Sequence, residues 1–287
     1  MNDRSNSLLK RCLRPFGIDE NLLLRVFRSN SERALQRKLS AFNKKEIFEG
    51  EDLSKHFAHS ELKEIASQNV VKGFIIDRIG FIERALGNDA IKNDTFIDVG
   101  DSDGIFIKAL GKTGISANVS KVAVSKIHEK GFQVIRCDAE HLPLKSGAVD
   151  HILFFEIMEH LPNPILALTE LNRVCKKSVI LSIPCLSKTN IHRFNYNPSW
   201  FIYEHHIFEF NDKDFRKILS HGRFQVKNSE VAEVLGGGSF TERLVFWMVR
   251  LYRLFYNDAE YKNNQNDLFC GCFKKFRMYH LTKEKGE

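Results

Sequence analysis

The stretch Thr95–Gly104 reads T-F-I-D-V-G-D-S-D-G, and its reading decides the fold. Phe96, Ile97 and Val99 are apolar and β-favouring, so they predict a buried strand. Asp98 lies near the strand's end and Gly100 follows. Gly104 opens a helical pattern, I-F-I-K-A-L, that closes at Gly111. A strand, a glycine turn and a helix start can hold a nucleotide-like ligand at the carboxyl edge of a parallel sheet. A dinucleotide fingerprint needs G-x-G-x-x-G, whereas these glycines are spaced G-x-x-x-G.

Downstream, Ile115–Asn118 predicts a short second strand, and Val119–Lys130 a helix stopping at Gly131. Phe132–Cys137 predicts the third strand, with Asp138 and Ala139 directly after it. Val149–Phe155 predicts the fourth, followed by the run E-I-M-E-H-L-P-N-P from Glu156 to Pro164. Pro164 suits a first helical position, where no N–H is needed. That helix runs through Leu166, Leu168, Leu171 and Val174, and Ser178–Ile183 predicts a fifth strand. Strands alternating with helices in this way predict a parallel sheet covered on both faces.

The glycine turn resembles motif I of the class I S-adenosylmethionine-dependent methyltransferases, D/E-x-G-x-G-x-G, with Ser102 in place of the middle glycine. The run C-D-A-E-H-L-P from Cys137 and the run after the fourth strand resemble segments of the small-molecule members. The resemblance covers Thr95–Pro184 well and Glu204–Val226 loosely; in the latter, Asn211 suits a helix N-cap with Asp214 in its first turn. It implies an α/β, Rossmann-like, doubly wound sheet of seven mostly parallel strands with a last antiparallel strand, supplied by Phe269–Leu281. It implies S-adenosylmethionine as cofactor, held by Asp98, Gly100, Ser102, Gly104, Asn118, Asp138, Ala139 and Glu156. Where Asn118 stands, the family carries an acid that accepts both ribose hydroxyls. An amide can accept from one and donate to the other but has no charge, so Asn118→Asp is expected to tighten binding. The alternative is that Asn118 only forms a turn. Asp138 is expected to accept from the adenine amino group, against a reading as a turn or N-cap aspartate.

Methyl transfer from a sulfonium needs alignment and exclusion of water more than a fixed catalytic group. A hydroxyl or ammonium acceptor would benefit from a general base. His160 is the best-placed candidate, with His205 and His206 in a loop that could face the same cleft; the alternative is a structural part for His160 in its own loop. The resemblance implies transfer to a small or lipid-like organic acceptor. Two rivals remain: a methyltransferase-like binding protein without catalysis, kept open by Ser102 and Asn118, and a nicotinamide-dependent oxidoreductase, opposed by the glycine spacing.

The domain organisation expected is a helical cap over 1–90, the cofactor-binding domain over 91–235, and a C-terminal helix and strand over 236–287. Leu22–Phe42 and Glu61–Leu86 show helical periodicity, and in the second Phe74, Ile75, Ile79 and Ile82 read as core. Of the net charge of +7, all resides in Met1–Lys45, with eleven Lys/Arg against four Asp/Glu. That arm could meet a phosphate-bearing partner or an anionic membrane, but a solvated helix face is the simpler reading. Nucleic acid is not expected as a substrate, because no stacking aromatics line a basic groove.

Residues 240–256 read F-T-E-R-L-V-F-W-M-V-R-L-Y-R-L-F-Y, with Arg243, Arg250 and Arg253 in one stripe of an apolar helix. It could pack on the domain, form a homodimer face or enter a membrane interface. No leader or membrane-spanning run is visible, and six scattered cysteines suit a cytoplasmic protein, peripheral to a membrane if 240–256 inserts. Cys270-Gly-Cys272 lacks the partners of a zinc site, so no metal is expected.

Overall fold

The structure, a computed structural model, describes residues 33, 35–53, 68–111, 114–185, 207–208, 210–233 and 275–284. The chain divides into two compact units. One gathers Met1–Ala41, Ile191–Ile202 and Glu233–Lys274; within it residues 35–41 are helical. The other holds Phe42–Asn190, Tyr203–Ala232 and Lys275–Glu287 and carries the sheet. Residues 42–90, grouped by sequence with the N-terminal cap, therefore cluster with the sheet. Residues 240–256, Cys270, Cys272, His205 and His206 lie outside the described residues.

Seven strands follow one another as β1 (Phe96–Val99), β2 (Gly114–Asn118), β3 (Val134–Arg136), β4 (Val149–Phe155), β5 (Cys175–Cys185), β6 (Phe224–Glu233) and β7 (Lys275–Lys283). Their spatial order is β3-β2-β1-β4-β5-β7-β6. The chain thus starts in the middle, steps to one edge and returns at β4, leaving a switch point between β1 and β4, where ligands of open α/β sheets bind. β1 to β5 pair in parallel, and β7 runs antiparallel to β5.

All four residues of β1 are buried, including Asp98, as expected for a strand with helices over both faces. The helices are α1 (Gln68–Leu86), α2 (Asn88–Asn93), α3 (Ile105–Ala109), α4 (Lys121–Glu129), α5 (Pro164–Val174) and α6 (Asp212–His221). Three have side-chain N-caps: Ser120 on α4, Asn163 on α5 and Asn211 on α6, each satisfying one amide of an otherwise orphaned first turn. Pro164 occupies the first turn of α5. The largest core cluster joins β1, β4 and β5 to Leu168, Leu171 and Val174 of α5 and to Phe215 and Leu219 of α6. Phe74, Ile75, Ile79 and Ile82 are buried along α1, and Phe74 stacks on Phe276 of β7, with centroids 5.0 Å apart.

Candidate functional site

The turn after β1 is built to a tight specification. Gly100 has φ 90°, and a Cβ there would collide with the Ile157 side chain. Gly104 has φ 81°, and its Cβ would stand 2.9 Å from the Phe132 ring. Both positions thus need glycine for backbone and for packing. The loop is also pinned from inside by Asp101. Its Oδ1 accepts from the Asp103 and Gly104 amides at 3.0 and 2.7 Å, and its Oδ2 accepts from Ser116 Oγ at 2.5 Å. Burial, and then the Asp103 charge, push the Asp101 carboxyl up, while these hydrogen bonds pull it down. Lys130 Nζ closes the other side, donating to the Asp103 carbonyl at 2.6 Å and to Glu51.

Asn118, at the end of β2, has both halves of its amide engaged. Nδ2 donates to the Asp101 carbonyl at 2.8 Å, and Oδ1 accepts from the Ser120 amide at 2.7 Å. It is the fastener between the glycine loop and the turn into α4. Asp138, after β3, accepts from the Glu140 amide through Oδ1 at 2.9 Å and from the His141 amide through its carbonyl at 3.1 Å. Glu140 then accepts from the Asn163 amide at 2.6 Å, which ties this loop to the start of α5. Ala139 packs against the main core.

β4 ends at Glu156, whose φ of 53° is rare for a residue with a side chain. Its Oε1 accepts from Ser182 Oγ of β5 at 2.6 Å and lies 3.4 Å from Arg78 Nη2. A turn of 3-10 helix, Met158–His160, follows. Glu159 in it is 1% exposed, and its carboxyl oxygens have no hydrogen-bond partner. His160 is part-exposed, with Nε2 4.0 Å from Glu159 Oε1. The backbone of Ile207 and Phe208 docks here, both amides donating to the Glu159 carbonyl at 2.8 and 3.1 Å.

The parallel pairing of β1 with β2 and β4, and of β2 with β3, lines up the ends of four strands. It brings Asp98, Gly100, Ser102, Gly104, Asn118, Asp138, Ala139 and Glu156 to one edge. Sequence reasoning missed Arg78, Asp101, Glu159 and Ser182. The D-S-D spacing of Asp101 and Asp103, whose side chains bond amides two and three residues on, was a usable signal for one of them.

S-adenosylmethionine fits this edge on three observations. The glycine turn leaves backbone where side chains would obstruct. Asp98 Oδ2, buried near Arg78, has no hydrogen-bond partner. Carboxyl groups converge where a ligand bearing an ammonium and a sulfonium would place positive charge. Among the described residues, no group of three or more His, Cys, Asp or Glu side chains is placed to hold a metal ion.

Residues 97–183 match the family model described as a methyltransferase domain. No curated protein matches the chain. Solved structures share its fold. A proposed methyltransferase from Bacillus halodurans superposes with a TM-score of 0.51 at 16% identity, over 72% of this chain and 99% of that one. A proposed sarcosine dimethylglycine methyltransferase from Galdieria sulphuraria gives 0.55 at 10%, over 80% and 91%. The [4+2]-cyclase SpnF gives 0.52 at 16%, over 74% and 82%. At such identities the likeness carries the fold alone, and the methyltransferase assignment comes from the family model.

Proposed function

We propose that this chain, which carries a class I S-adenosylmethionine-dependent methyltransferase domain and is an enzyme using that cofactor, methylates a small, largely apolar organic acceptor. The supporting observation is the lip beside the turn after β4. Ile207 is 56% exposed and Phe208 37%, held by backbone hydrogen bonds to Glu159 at the cofactor edge. Two exposed large apolar side chains anchored at a site favour an apolar ligand over a sugar or a nucleic acid.

The cofactor supplies a methyl group already activated by its sulfonium. The chain's own tasks are to hold the acceptor in line, exclude water and receive the acceptor's proton. His160, part-exposed in the same turn, is the residue proposed to take that proton. Residues 240–256, apolar with an arginine stripe, extend this reading to lipid-like acceptors met at a membrane surface by a cytoplasmic protein.

The test is methyl-labelled S-adenosylmethionine offered with apolar hydroxy-, carboxy- and amino-bearing small molecules, and separately with sugars, nucleosides and RNA. Label should enter the apolar set. Phe208→Ser should raise the acceptor KM several-fold and leave S-adenosylhomocysteine affinity unchanged. Label entering only the polar set, or RNA, would overturn the acceptor assignment.

A further inference from the structure

Arg78 belongs to no motif, yet it is the most enclosed cation among the described residues, at 2% exposure. Its guanidinium lies over the rings of Phe276, Phe155 and Phe74, at 4.9, 5.3 and 5.7 Å from their centroids. Three elements contribute those rings: α1, the end of β4 and the start of β7. Nε and Nη2 are buried and donate no hydrogen bond. Glu156 is an ion-pair partner at 3.4 Å, but the hydrogen bond its Oε1 receives comes from Ser182. A guanidinium fixed by aromatic faces, with buried donors unused, is a preformed receptor for a planar anion.

The neighbours decide which anion. Asp98 and Glu159 face the same patch with oxygens that meet no donor. Burial is the main cause that pushes both carboxyls well above the usual range; the Asp101 and Asp103 charges add to it for Asp98, and the Glu156 charge for Glu159. Both therefore stand protonated at neutral pH and do not repel an incoming anion. The working charges are one cation, Arg78, and one anion, Glu156, side by side. Such a pair is complementary to a zwitterion, in which a carboxylate and an ammonium share one carbon.

We propose that Arg78 recognises the terminal carboxylate of the cofactor's methionyl end, giving up Glu156, which receives the adjacent ammonium. This rests on the S-adenosylmethionine reading of the site. It makes Arg78 the residue that distinguishes the intact amino-acid end from truncated nucleosides. An acceptor could also carry a carboxylate, so the experiment separates the two sources.

Calorimetry on the full chain should compare three ligands. They are S-adenosylmethionine; its decarboxylated form, which keeps the adenosine, sulfonium and ammonium; and 5′-methylthioadenosine, which lacks the amino-acid end. The parent protein should bind S-adenosylmethionine on the order of 10- to 100-fold more tightly than the decarboxylated form, the worth of a charge-assisted, bidentate pair. Arg78→Met should abolish that ratio and leave 5′-methylthioadenosine unchanged, which also reports an intact fold. Arg78→Lys should recover part of the ratio, since it keeps the charge and loses the fork.

Equal affinity of the parent for the first two ligands overturns the proposal without any variant. A ratio that survives Arg78→Met overturns it too, and assigns Arg78's anion to the acceptor instead. If Arg78→Met no longer binds 5′-methylthioadenosine, the parent ratio and Arg78→Lys decide. A parent chain that binds none of the three ligands has lost the cofactor reading itself, a distinguishable failure that takes this proposal with it.

Discussion

Gly100 and Asn118 show what single residues contribute to the edge of the sheet. At Gly100 any side chain meets two costs, a left-handed backbone and contact with Ile157. Gly100→Ala should lower stability by about 2–4 kcal/mol, read as a shift in denaturant midpoint at constant slope. Adding Ile157→Ala should return the packing part and leave the backbone part. For Asn118 the geometry reverses the expectation drawn from sequence. An aspartate cannot donate to the Asp101 carbonyl, and it would set a carboxylate against that oxygen. Asn118→Asp should therefore weaken S-adenosylhomocysteine binding and cost about 1–3 kcal/mol of stability; tighter binding would return Asn118 to the ribose. Asp98 carries the opposite sign. Its carboxyl keeps its proton in the fold and sheds it on unfolding above about pH 4, so its contribution declines as pH rises. Asp98→Asn should gain about 1 kcal/mol at pH 7 and little at pH 4, while cofactor affinity falls.

Among the elements, β4, β5 and β7 share a polar seam within an apolar sheet. His151 of β4 is buried; Nδ1 pairs with Ser178 Oγ of β5 at 2.8 Å and Nε2 with Asp94 at 2.9 Å. Burial lowers the His151 pKa, and Asp94 opposes that shift. On β7, burial, with help from Lys227 and His151, lowers His280 to about 4. Both histidines bind protons less readily folded than unfolded. Their stabilisation is complete above about pH 6.5 and fades as pH falls, for His280 over the interval down to about 4. The most it can remove is about 3 kcal/mol. Denaturant midpoints of the parent and His280→Leu, measured from pH 7.5 to 4.5, should converge as pH drops; parallel curves would refute the assignment.

The same elements show what sequence can and cannot carry. β1 and β4 were legible because buried parallel strands are continuous apolar runs. β6 was not, because Phe224–Glu233 holds Gln225, Lys227, Asn228 and Ser229 on a sheet edge where no apolar pattern is required. Arg78 was hidden for a related reason. A charge in an amphipathic helix reads as solvent-facing, and only the rings of β4 and β7, distant in sequence, enclose it.

On the scale of the whole molecule, the strand order has a consequence for how the protein is made. β7 inserts between β5 and β6, although it follows β6 in sequence and Lys275 comes 90 residues after Cys185. During synthesis β5 emerges with one edge paired to β4 and the other bare. That edge carries Val179, Ile180, Leu181 and Ile183, and it stays bare until the ribosome has delivered β7. An uncovered apolar strand is a template for another chain, and a pairing of long sequence separation closes slowly. A chain stopped before Lys275 should accumulate as aggregates, whereas adding the missing strand in trans as a peptide should rescue soluble material. Translation speed through the last hundred or so codons, set by no contact in the finished fold, would then govern the yield of active enzyme.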